Sequence, residues 1–366
     1  MRVLPHLAAI VLVSCGDTSP PSSSSGQGIT GVSASTGTSG TGASTTSTGP
    51  GDDSAGGSAS TSTGILRDVG TAADFGPSQP PGCQGKVDLL FVISRIGTMS
   101  TEQEQLVASF SGFVDTIKDT LGDFDVHIMV ANPDGTWPGW TCETAPKGCP
   151  MNYPDCSPDA GYQCGIFPDL MKPCDQVLGA GLTFNVGPGA ANERCDLFGG
   201  NSYIISGEPD LDHALECIAK VGWAGPDAPF GEAMVAALSY DLNKDGGCNA
   251  GFLRKDALLV VTFISDTADS ASSTWPYQWY DALLAAKTDP SAVVMLGIVP
   301  QSPIEGQPLV PGCTYHYPFE MPGKLRDLIN MFPFHAYGDT CAPSYAPFFE
   351  DAASLIGEAC GSFVPQ

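Results

Sequence analysis

The chain has 366 residues, with 40 acidic against 15 basic side chains and a formal net charge of −25. That balance argues against nucleic acid as a partner, since such binding rests on Lys and Arg neutralising phosphates. It argues equally against a polybasic contact with anionic headgroups.

Met1-Arg2 open the sequence and an apolar run covers residues 3–13. One basic residue before a short apolar segment is the layout of a secretory signal, and the run is well short of the roughly 20 residues of a transmembrane helix. It closes on Leu12-Val13-Ser14-Cys15, which resembles the lipobox of bacterial lipoproteins. The resemblance implies cleavage before Cys15, lipidation of that cysteine, and a chain held at a membrane by its acyl chains, outside the cytoplasm in the cell envelope. By resemblance to enterobacterial sorting rules, Gly16 rather than Asp after the cysteine implies the outer membrane. An ordinary signal peptide with a chance cysteine is the alternative.

Residues 16–80 are almost wholly Ser, Thr, Gly, Ala and Pro, with no aromatic before Phe75. Such a segment buries too little apolar surface to offset its ordering entropy, so a disordered tether is expected. From Cys83 to Cys360 the composition turns globular, and roughly 280 residues suffice for one sizeable core.

Beside Cys15 the chain carries twelve cysteines: Cys83, Cys142, Cys149, Cys156, Cys164, Cys174, Cys195, Cys217, Cys248, Cys313, Cys341 and Cys360. An even count in an exported chain points to disulfides. No C-x₂-C or H-x₃-H pair offers zinc a site. Cys83 and Cys360 stand at the two ends of the globular region, and ends of compact domains lie close together, so a bridge between them is expected.

Residues 87–93 form a nearly continuous apolar run, as in a parallel strand buried on both faces. Residues 98–121 follow with helical spacing, Leu106, Phe110, Phe113, Val114 and Ile117 sharing one face. Residues 124–131 read as a second strand. Residues 132–209 are rich in Gly, Pro and Cys without periodicity, and read as an insertion stapled by disulfides because it builds no core of its own. Helices are expected over 211–221 and 230–242, the latter with Met234, Val235 and Leu238 as its apolar face. Residues 257–264 are the clearest buried strand. Thr274 reads as the N-cap of a helix reaching Lys287, with Pro276 two positions on. A strand over 292–299, a helix over 323–332, a weak strand over 334–337 and a helix over 345–358 complete the alternation. The fold class is therefore α/β: a doubly wound, mostly parallel sheet with helices on both faces and a Cys-rich insertion after the second strand. Ligands of such sheets bind beyond the C-terminal strand ends.

Val87-Asp-Leu-Leu-Phe-Val-Ile-Ser-Arg-Ile-Gly-Thr-Met-Ser100 resembles the first strand and loop of a von Willebrand factor A (vWA) domain, in which the loop reads D-x-S-x-S. Leu258-Leu-Val-Val-Thr-Phe-Ile-Ser-Asp266 resembles the strand leading to that family's third-loop Asp. The region 83–360, including Gly247-Cys-Asn-Ala-Gly-Phe-Leu-Arg254, is similar to Cys-rich vWA lipoproteins of Gram-negative bacteria. The family's adhesion site holds Mg²⁺ or Mn²⁺ through five oxygen ligands, and the resemblance places them here at Ser94, Ile96, Thr98, Ala228 and Asp266. Only Thr98 and Asp266 keep a ligating group of the family's type, too few for the near-octahedral oxygen shell of Mg²⁺. No cofactor is expected, with weak or absent Mg²⁺. Asp227 and Asp269 are the neighbours that would rescue a cation. Arg95, where the family's loop has Asn, either pairs with Asp266 or receives a carboxylate from a partner in place of the cation.

Asp241-Leu-Asn243-Lys-Asp245-Gly246 matches half a calcium loop, but Phe252 stands where the bidentate Glu belongs, so a polar turn is expected. No G-x-S-x-G, H-E-x-x-H or P-loop is present. His127, inside an apolar strand, reads as a structural histidine. Trp223 and Trp275 are expected near the ligand end of the sheet, and Trp279 and Tyr280 in the core. Together these features favour a non-enzymatic, membrane-tethered module that binds an unknown protein or envelope ligand. An extracytoplasmic hydrolase with its site in the insertion, or a structural envelope protein, are the competing readings.

Overall fold

The computed structural model describes residues 82–83, 85–121, 124–137, 171–300 and 323–363. The signal-like segment with Cys15, the expected tether, and Cys142, Cys149, Cys156, Cys164 and Cys313 lie outside them.

Eight strands are described: β1 (Lys86–Ile93), β2 (Asp125–Ala131), β3 (Phe184–Asn185), β4 (Glu193–Arg194), β5 (Ile204–Ile205), β6 (Leu258–Ile264), β7 (Val293–Val299) and β8 (Phe334–Asp339). The described helices are α1 (Ser100–Leu121), α2 (Leu211–Ala219), α3 (Phe230–Ala237), the single turn α4 (Tyr240–Asn243), α5 (Pro276–Lys287), α6 (Gly323–Ile329) and α7 (Ala346–Ser362). The main sheet has the order β5-β2-β1-β6-β7-β8 and is parallel except for β5. β1 and β6 lie at its centre. Every residue of β6 and all but the first of β1 are buried, which is why both read as unbroken apolar runs. One core packs Leu89, Phe91 and Val260 against α1, α2 and α7. The other packs Leu90, Val92 and Val261 against α3, α5 and α6. Alternate residues of each strand thus face opposite layers, and the α/β class expected from the alternation is what the chain adopts.

The described part of the insertion builds no core of its own and completes the main one. Leu182 N donates to Val130 O and Asn132 N to Ala180 O, so the returning chain lies along the end of β2. β5 then adds an antiparallel edge through Ile204 and Ile205. Leu182, Cys195, Leu197 and Ile204 are buried in the same core as β1. Two disulfides fasten this part outward, Cys174–Cys248 and Cys195–Cys217. Cys83 is bridged to Cys360, and Cys341 is bonded to a cysteine outside the described residues. In the chain-entropy model, cross-links spanning these separations stabilise by roughly 3–6 kcal/mol each, and they belong to an oxidising compartment.

The expected helix over 230–242 is broken. Ser239 is extended, its hydroxyl accepts from Leu242 N, and Asn243 Nδ2 donates to Ala237 O and Ser239 O. Asn243 thus takes carbonyls, and Ser239 an N–H, that a continuous helix would use within its backbone. The buried face of α3 is Ala233, Met234 and Ala237. Asn243 Oδ1 accepts from Leu253 N and Asp241 pairs with Lys244, which makes the calcium-like sequence a turn. Among the described residues no helix is long and apolar enough to cross a membrane.

Candidate functional site

β1 leads into α1 on one face of the sheet, and β6 leads into α5 on the other. The adjacent C-terminal ends of β1 and β6 are therefore the topological switch point, where a crevice opens in this class of fold. Three loops surround it: loop one (94–99), loop two (222–229) and loop three (265–275).

Loop one is locked from below. Ser94 is 1% exposed; its N–H donates to Ile264 O at 2.8 Å and its hydroxyl accepts from Ile96 N at 3.4 Å. Gln103 of α1 ties loop one to loop two, its Nε2 donating to Ser94 O at 3.0 Å and to Gly222 O at 2.6 Å. Ile96 is half-buried against the β1 core. Thr98 Oγ1 is buried and makes no hydrogen bond to the described residues. Met99 is buried, and its Sδ receives Asp266 N–H at 3.2 Å.

Arg95 does neither of the things expected of it. It is 3% exposed and turns inward, its Nε 3.4 Å from Asp134 Oδ2 and its other nitrogens 3.4 and 3.5 Å from Thr136 Oγ1 and O. Asp134 Oδ1 in turn accepts from Thr136 N and Oγ1. Gly225 N donates to Arg95 O at 2.7 Å. The guanidinium therefore fastens loop one to the start of the insertion. It neither pairs with Asp266 nor is available to a partner. Nothing in the sequence of loop one points to Asp134, 39 positions away; the signal that exists is the Asp-Gly-Thr turn itself.

Loops two and three are joined by carboxylates. Asp269, 3% exposed, accepts from Gly231 N, Ser272 N and Ser272 Oγ at 2.8–2.9 Å. With three donors already on its oxygens, it holds the start of α3 rather than a cation. Glu232 Oε1 accepts from Ser273 N and Oγ and from Thr274 N and Oγ1 at 2.7–3.0 Å. Burial opposes its charge, but these hydrogen bonds hold the carboxyl below the usual glutamate range. Thr274 is thus not the N-cap of α5. Its hydroxyl donates to Glu232 and receives Trp279 Nε1 at 2.7 Å, while Trp275 takes the N-cap position. Trp279 is 1% exposed and lies flat on Gly231, where a Cβ would meet the indole at 2.2 Å. Tyr280 packs against Phe332 with the rings tilted and their centres 5.0 Å apart.

Asp266 is 7% exposed. Burial first, then the charges of Glu102, Asp339 and Asp266, push the Tyr345 phenol far above the usual tyrosine range, and its hydroxyl donates to Thr340 O at 2.8 Å. Glu102 and Asp339 escape notice in the sequence, since neither belongs to a recognisable spacing. Ala228 is buried and offers no oxygen from its side chain, and Asp227 is exposed. The donors present do not fit a Mg²⁺ shell. The Ser94 hydroxyl is engaged by a backbone N–H, the Ile96 and Ala228 side chains carry no oxygen, and Asp269 already accepts three hydrogen bonds. Among the described residues no group of three His, Cys, Asp or Glu side chains is placed to hold a metal ion. No protein-family model matches the chain, and no curated protein matches it.

What the crest presents outward is aromatic. Trp275 is 56% and Tyr277 60% exposed. Lys324 Nζ lies 4.8 Å from the Trp275 ring centre and donates to Ser272 O at 2.6 Å, fixing the indole over loop three. Trp223 is half-buried beside loop one. His127, at the opposite end of the sheet, is structural. Its Nδ1 is 2.9 Å from Phe252 O, and burial lowers its pKa from the ordinary histidine value.

Proposed function

We propose that this chain is a membrane-tethered interaction module of the extracytoplasmic side, a vWA-like domain that binds a protein partner without a metal ion. The resemblance of 87–100 and 258–266 to that family agrees with the central placement of β1 and β6 and with three loops around their ends. The observation that carries the reading is the exposed pair Trp275 and Tyr277, at the end of loop three and the start of α5, beside a loop pinned by Glu232, Asp269 and Lys324. Rigid aromatic anchors lose little entropy on binding and dominate interface energies. The incomplete ligand set supports contact made by side chains alone.

The test uses the full chain with its disulfides intact, against envelope extract and then against the purified partner. Capture is expected to be the same with and without EDTA. Trp275→Ala is expected to weaken binding by about 2 kcal/mol, roughly 30-fold. A partner lost on chelation, or held equally by Trp275→Ala, would overturn the reading. The anchor has its own test: Cys15→Ala is expected to release the chain from the membrane fraction or block its processing. Unchanged partitioning together with unchanged lipid labelling would exclude lipidation.

A further inference from the structure

The bridged cysteines differ in their surroundings. Cys83, Cys195, Cys217, Cys341 and Cys360 are each at most 6% exposed, whereas Cys174 and Cys248 are both partly exposed. Those two, bonded to each other, line an open cleft of about 270 Å³ whose wall includes Lys172, Thr183, Arg194, Asp196 and Ser202. We propose that the Cys174–Cys248 bridge is a thiol–disulfide exchange site, opened by a dithiol while the domain stays folded and the buried bridges persist.

An attacking thiolate must reach a sulfur, so access decides which bridge reacts, and exposed bridges are the labile ones. The cleft has room for a thiol side chain, since one water takes about 30 Å³ of the liquid. Its lining carries two basic and two acidic side chains, Lys172 and Arg194 against Asp175 and Asp196, so the chain's excess of acid is not gathered there. Opening the bridge also leaves its two ends held by other means. Asn249, fully buried beside Cys248, donates to Gly179 O and Ala237 O and accepts from Gly181 N, at 2.9–3.2 Å. Ser202 Oγ donates to Cys248 O at 2.6 Å. The cross-link thus repeats a connection that hydrogen bonds already make, whereas Cys83–Cys360 and Cys195–Cys217 are sunk in the core beside β1. The bridge also stands behind loop one. Asn132 Nδ2 donates to Asp175 O at 3.1 Å and to Thr136 O at 3.2 Å, the oxygen that Arg95 reaches.

In the exchange, the donor's thiolate bonds to one sulfur of the bridge and expels the other, which takes a proton. The donor's second thiol then displaces the mixed disulfide. Two electrons and two protons pass to the bridge, which becomes two thiols as the donor closes its own disulfide.

Graded dithiothreitol on the full oxidised chain, followed by alkylation and mass mapping, tests this. Cys174 and Cys248 are expected to be labelled completely while Cys83, Cys195, Cys217, Cys341 and Cys360 stay blocked, at an unchanged near-ultraviolet circular dichroism. In that two-thiol form, amide exchange is expected to rise over 174–181 and 134–136 and to stay as it was in β6. Labelling of the buried cysteines as early as Cys174 and Cys248 would overturn the proposal. So would labelling that appears only as the near-ultraviolet signal is lost, or together with faster exchange in β6, since the bridge would then open by unfolding and not by access.

Discussion

Replacing Asp88 by Ala destabilises the domain by about 3–5 kcal/mol, the cost of removing one partner from a buried ion pair. Asp88 sits in the centre of the sheet, fully buried. Its two oxygens receive Arg254 N and Nε, each at 2.8 Å, and Lys287 Nζ lies 3.5 Å away. Lys287 is buried too, and its ammonium also donates to Arg254 O and Ala257 O. Arg254 reaches on to Asp125 Oδ2 at 2.6 Å and to the carbonyls of Val87 and Asp125. Without Asp88, Arg254 keeps a carboxylate but Lys287 keeps none. The double variant Asp88→Leu, Lys287→Met removes the orphan and should recover much of the loss, a coupling that a mutant cycle reads directly. There is also a pH signature. Burial already holds Lys287 below the ordinary lysine range, against the pull of Asp88. Between its folded pKa and about 10.4 the unfolded chain binds more protons, so stability rises with pH. Asp88→Asn widens that window, and its stability should climb more steeply above neutral pH than that of the wild type. Urea midpoints across pH decide it. An Asp88→Ala variant within about 0.5 kcal/mol of the wild type, the scatter of an ordinary surface change, would refute the account.

Arg95→Ala is expected to cost about 3 kcal/mol, again by leaving a buried partner, here Asp134, without its counter-charge. The effect should be local as well as global. Amide exchange is expected to rise over residues 94–99, 134–136 and 225, because Arg95, Thr136 and Gly225 form one bonded group. Arg95→Lys should not restore stability, since one ammonium cannot span Asp134 and both oxygens of Thr136 as the planar guanidinium does. Adding Asp134→Ala to Arg95→Ala should cost less than the sum of the two. Additive losses, or exchange unchanged outside loop one, would show that the pair does not organise the crest.

Much of the fold is legible because its central strands are buried on both faces. The runs at 87–93 and 258–264 have nothing to alternate with, and the helices between them carry the apolar spacing of a single covered face. What escapes is decided by single polar atoms. The helix at 230 stops because Asn243 takes over its last carbonyls and Ser239 caps the turn that follows. Thr274 looks like a cap, but Glu232 supplies a better partner than the backbone. β5 has only two residues, and its apolar pair Ile204-Ile205 is too short for any period to show. The site is half legible. The loops around β1 and β6 fall where the alternation puts them, yet the direction of Arg95 depends on Asp134, which joins it only through the fold. Asp269 looks like a spare ligand in sequence and proves to be the hub of a turn.

The Cys83–Cys360 bridge has a mechanical meaning. Cys83 lies just before β1, and its N–H donates to Cys360 O at 3.2 Å. A pull on the chain at Gly82 therefore meets a covalent bond before it meets the sheet. The load passes across the sulfurs into the end of α7, and the hydrogen bonds that hold β1 between β2 and β6 are spared the shear. Reduction would reroute the same pull straight down the central strand, the one element that every other layer is built upon.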